Sequence, residues 1–93
     1  LGWYFADSPH FATVAGGIRN APMGAVVQVN WRLPSGTVTP HTMFVYSRTA
    51  SGVDVIESNW AASLSVRHRF ISFADFDLRA VSYTVYKVIS NLA

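Results

Sequence analysis

The stretch PHTMFVYSRTASGVDVIESNW, residues 40–60, decides how this chain folds. Two runs, HTMFVYS (41–47) and VDVIESN (53–59), are rich in β-branched and aromatic residues and flank the loop RTASG (48–52). That pattern reads as a β-hairpin, with Gly52 free to take a positive φ at the turn. Side chains alternate faces along a strand. His41, Met43 and Val45 therefore share one side of the first strand, and Val53, Val55, Glu57 and Asn59 share one side of the second. If Ser47 pairs with Val53, then Val45 faces Val55, Met43 faces Glu57 and His41 faces Asn59, all on the same side. A slip of one residue separates His41 from both polar partners.

In the first register an imidazole has an amide directly across the ladder and a carboxylate one pair along. Opposed Cβ atoms lie about 5 Å apart. A side-chain oxygen that accepts from one ring N–H fixes the tautomer and leaves the other nitrogen as a base. His41, Glu57 and Asn59 are the catalytic candidates, and direct opposition favours Asn59 as the residue that orients the ring. Trp60 follows Asn59 and is placed to shield that hydrogen bond from water. The structural alternative is a histidine capping a strand and a glutamate at a solvated edge.

Outward from the hairpin, AVVQVNW (25–31), SVRHRFIS (65–72) and SYTVYKVIS (82–90) read as further strands, each bounded by turn residues or breaks in the pattern. FADFDLRA (73–80) reads as a short helical turn or loop in which Asp75 and Asp77 cap. Residues 1–6 read as the end of a helix stopped near Ser8-Pro9, and residues 11–15 as one more turn before Gly16-Gly17. The expected fold is α+β: a short N-terminal helix packed on a five-stranded antiparallel sheet, or on a partly closed small barrel.

Composition narrows the function. With 93 residues, 51% hydrophobic and 13% charged, the chain has the size of a single domain and the apolar material for a core, which argues against disorder. The apolar runs are short and interrupted, so no membrane span is expected. A net charge of +2 is small for a nucleic-acid binder, so no nucleic-acid partner is expected. Arg67-His68-Arg69 reads as the solvated face of a strand. Three scattered histidines and no cysteine give no metal-ligand spacing, so neither a metal nor a cofactor is expected. Ser8, beside Asp7 and His10, reads as a turn, because catalytic partners converge in space rather than in sequence. The aromatics read mostly as core.

At this point PHTMFV, with ESNW beginning sixteen residues after its histidine, resembles the CHAP family, the cysteine- and histidine-dependent amidohydrolases and peptidases. It is also similar to the NlpC-type branch of papain-like enzymes. PMGAVVQVNW (22–31) resembles the family's turn and strand ahead of the histidine, so the likeness covers residues 22–60. It implies a papain-like fold, amide hydrolysis in peptide or cell-wall peptidoglycan, and a secreted or cell-wall-associated setting. It also implies His41 as general base with Glu57 as its orienting partner. The family's nucleophile is a cysteine, and these 93 residues contain none. Either Leu1-Gly2-Trp3-Tyr4 aligns with Cys-x-Trp-Tyr, and Leu1 replaces the nucleophile, or Leu1-Gly2-Trp3 follows a cysteine immediately before Leu1. The second alignment makes residues 1–93 a single domain without the segment that carries the thiol, supplied from upstream or by a separate N-terminal fragment, and sets Trp3 beside the site with Trp60. The first alignment implies a catalytically silent module that binds peptide or glycan.

Overall fold

The computed structural model describes residues 8–59 and 65–89. Among these residues six strands form one antiparallel sheet: β1 (Phe11–Thr13), β2 (Val26–Arg32), β3 (Val38–Arg48), β4 (Gly52–Asn59), β5 (Ser65–Ser72) and β6 (Ala80–Val88). A 3-10 turn (Gly17–Asn20) lies between β1 and β2, and a helix, α1 (Phe73–Arg79), lies between β5 and β6. The spatial order is β1-β6-β2-β3-β4-β5. Strands β2 to β5 form a meander. The chain then returns through α1, and β6 pairs with the free edge of β2.

This corrects the expected papain-like α+β fold with a helix on five strands: the structure is mostly antiparallel sheet with one short helix. Residues 11–13 are not helical. They pair with Val88, Lys87 and Tyr86 of β6 and add a sixth strand. The backbone continues that ladder at both ends, with Val14 N donating to Val85 O and Ile89 N donating to His10 O, each at 2.9 Å. Three residues carry too short a pattern to show a period, so only the distant partner strand reveals them as β. The helix expected over residues 1–6 lies outside the described residues. Strands β1 and β5 are the two ends of the order and do not pair with each other, so among the described residues the sheet is open rather than closed into a barrel.

One face of the sheet carries the core: Val27, Val29, Trp31, Met43, Val45, Val53, Val55, Ile71 and Val85 are all buried. Phe76 of α1 covers it, with ring centroids 5.6 Å from Trp31 and 4.8 Å from Tyr83, both edge-to-face. Ser72 caps α1 by accepting from Asp75 N at 3.1 Å. The expected caps do other work: Asp75 pairs with Arg79 one turn on, and Asp77 pairs with Arg19 of the 3-10 turn at 2.8 Å.

The β3–β4 hairpin holds the expected pairs Met43–Glu57 and Val45–Val55, but its turn end is shifted. Ser47 pairs with Asp54 and Arg48 with Val53, which leaves Tyr46 as a bulge. The bulge moves Arg48 to the core side, where Nε donates to Ala21 O at 3.0 Å and Nη1 to Arg19 O at 2.8 Å. These bonds tie the 3-10 turn to the sheet. Gly52 is not among the glycines with positive φ. It is needed because β5 passes close by: a Cβ there would collide with the Ile71 carbonyl oxygen and lie 2.8 Å from Ser72 Cα. Gly52→Ala is therefore expected to lower stability by about 1–3 kcal/mol, read as a lower urea midpoint at unchanged slope.

Candidate functional site

The candidate site lies on the core face, towards the end of β4 away from its turn with β3. Register brings the parts together. Val29 of β2 is opposite His41 of β3, and Met43 of β3 is opposite Glu57 of β4. Glu57 is in turn opposite Arg67 of β5, and Val55 is opposite Arg69. All of these side chains share the face that carries Trp31 and Ile71. His41 meets Glu57 along the diagonal of the ladder, within reach of two long side chains.

Glu57 is the centre of the arrangement. Its side chain is only 2% exposed. Its Oε1 is 2.5 Å from His41 Nε2 and accepts from Arg69 Nη2 at 3.2 Å. Its Oε2 accepts from Arg67 Nη2 at 2.9 Å and Arg67 Nε at 3.2 Å. Arg69 Nε also lies 2.5 Å from Oε2, but off the hydrogen-bond axis, so this contact is Coulombic and the buried N–H has no hydrogen-bond acceptor among the described residues. The Arg69 guanidinium stands over the Trp31 ring at 5.6 Å, which fixes it further.

Burial alone would raise the Glu57 carboxyl. The hydrogen bonds from His41, Arg67 and Arg69, with the Arg69 charge, outweigh it and hold the group at about 2 against an ordinary 4.5. Glu57 is therefore ionised at neutral pH and can only accept. That fixes the His41 tautomer: Nε2 carries the proton, and in the neutral ring Nδ1 holds the lone pair. Nδ1 makes no hydrogen bond to any described residue, and the His41 side chain is 18% exposed, so a base of the right form stands within reach of a ligand.

Asn59 belongs to β4, but its side chain lies outside the described residues, as do all of Trp60 and Trp3. Among the described residues the Glu57 carboxylate meets the ring: it is long enough to cross the diagonal and carries the charge that makes the bond strong. Arg67 and Arg69 were not expected here. Their strand parity with Ile71, a core residue, is the signal that marks them as facing inward rather than lying on a solvated face. The opposite face pairs Asp54 with Ser47 at 2.9 Å and brings His68 against Tyr46. Ser8 accepts from His10 N at 3.2 Å, as a turn does. No group of three or more metal-ligating side chains occurs among the described residues, and no helix there is long and apolar enough to cross a membrane.

Comparison of the chain with protein-family models, with curated proteins and with solved structures finds no match.

Proposed function

We propose that this chain supplies the base and orienting residue of a cysteine-dependent amidohydrolase or peptidase acting on amide bonds in bacterial cell-wall peptide, with the thiol contributed by a residue outside these 93. The observation that carries the reading is the 2.5 Å contact between His41 Nε2 and the buried, ionised Glu57. It leaves Nδ1 as the free base and holds the ring in one orientation, as a nucleophile–base–orienter set requires.

In the reaction, His41 Nδ1 takes the thiol proton, and the thiolate attacks the amide carbonyl. The imidazolium, stabilised by Glu57, then gives that proton to the leaving amine as the C–N bond breaks. Water, deprotonated by the same nitrogen, hydrolyses the thioester and restores the thiol. A cell-wall substrate fits a secreted or wall-associated protein.

The test begins with the residue encoded before Leu1. A polypeptide with cysteine at that position is expected to release free amine from a cell-wall peptide and to lose this activity on iodoacetamide treatment. A second reading, a silent module that binds peptide or glycan, is favoured by the absence of cysteine throughout the 93 residues. A coding sequence with no cysteine ahead of Leu1, together with peptide binding and no turnover, would decide for it.

A further inference from the structure

The cluster around Glu57 holds more positive charge than it neutralises. Two guanidiniums, Arg67 and Arg69, surround one carboxylate. The other acids among the described residues are engaged elsewhere: Asp54 with Ser47 and His68, Asp75 with Arg79, and Asp77 with Arg19. Both Arg67 bonds go to the same oxygen, Oε2. The Nη1 atoms of Arg67 and Arg69 make no hydrogen bond to any described residue. The Arg67 side chain is 50% exposed, so its unused donors are open to solvent. Arg67 and His41 bind opposite oxygens of one carboxylate, so a ligand on the unused edge of Arg67 is separated from the imidazole by one guanidinium and one carboxylate.

We infer that Arg67, backed by Arg69, is a carboxylate-recognition subsite beside His41, and that the ligand is a peptide with a free carboxylate next to the reacting amide. A single excess charge is balanced by one carboxylate. A planar guanidinium edge matches the two oxygens of a carboxylate in a way an ammonium does not. Glu57 then has two tasks. It orients His41, and it holds the two arginines side by side against their mutual repulsion. The position of the carboxylate relative to the amide rests on the hydrolase reading, but its binding is measurable without turnover.

The experiment is a titration of the 93-residue chain with N-acetyl-alanyl-alanine and with the same peptide carrying a C-terminal amide, followed by the Nε–H resonances of the arginines. The acid is expected to bind at least tenfold more tightly than the amide, to shift Arg67 and Arg69 most, and to lose its advantage as salt rises. Arg67→Gln is expected to bring acid and amide within about twofold of each other, because the neutral side chain removes the excess charge. Arg67→Lys keeps the charge and removes the planar edge, and is expected to fall between the two. Equal affinity for acid and amide in the parent chain would overturn the subsite, as would an acid preference that survives Arg67→Gln. Inorganic phosphate that shifts the same resonances more tightly than the acid would also overturn it. Equal affinities together with amide hydrolysis that depends on His41 would remove the subsite and leave the hydrolase reading intact. Acid preference in a thiol-bearing polypeptide that hydrolyses nothing would do the reverse.

Discussion

Replacing His41 with alanine in the thiol-bearing polypeptide is expected to lower kcat for amide hydrolysis by about 10²- to 10⁴-fold, the range for loss of a positioned general base. KM should change little, because in the proposed mechanism the ring handles protons rather than holding the substrate. Glu57→Gln should lower kcat by a smaller factor. The amide can still accept from Nε2, but it no longer stabilises the imidazolium, and it can present its NH₂ to the ring and favour the wrong tautomer. Steady-state kinetics on a chromogenic peptide amide measure both. A His41→Ala protein that keeps its kcat would show that the imidazole is structural.

Removing Glu57 altogether is expected to have the largest effect on stability. Glu57→Ala leaves Arg69, whose Nε is buried, without its counter-charge, and breaking a buried ion pair from one side costs about 3–5 kcal/mol. The same group makes the fold acid-sensitive. Its folded value is depressed, from 4.5 to about 2, so its contribution is fully present above about pH 4.5 and is lost as pH falls towards 2. At about 1.4 kcal/mol per pH unit of depression this amounts to about 3 kcal/mol. Urea unfolding of the parent chain at pH 6 and at pH 2.5 should show most of that loss. Glu57→Gln should flatten the curve across the same interval. Parallel curves for the parent and the variant would mean that the unfolded chain holds the carboxylate as well as the folded one does.

The residues around this carboxylate show which parts of the molecule are local in origin. The β3–β4 hairpin, the shared face of His41, Met43 and Val45, and the pairs Met43–Glu57 and Val45–Val55 follow from the period-2 pattern of residues 41–59 and the loop between its halves. That pattern also marks His41 and Glu57 as a candidate pair, because parity and hairpin register are short-range properties of the chain. It does not show the bulge at Tyr46, which turns Arg48 towards the Ala21 and Arg19 carbonyls of a distant turn. Nor does it choose between a directly opposed amide and a diagonal carboxylate.

Sequence alone pointed to antiparallel strands, since alternation and turn chemistry act within a few residues of each other, and offered a register that puts His41 and Glu57 on one face while leaving open the one-residue slip that separates them. Tertiary structure decided the sixth strand, because residues 11–13 become β only by pairing with β6 more than seventy residues on. It also decided that Arg67 and Arg69 close around Glu57. A charged pair beside a histidine reads as solvent-facing until a neighbouring strand sets a carboxylate opposite it, and the strength of that contact comes from exclusion of water, which only the packed sheet provides.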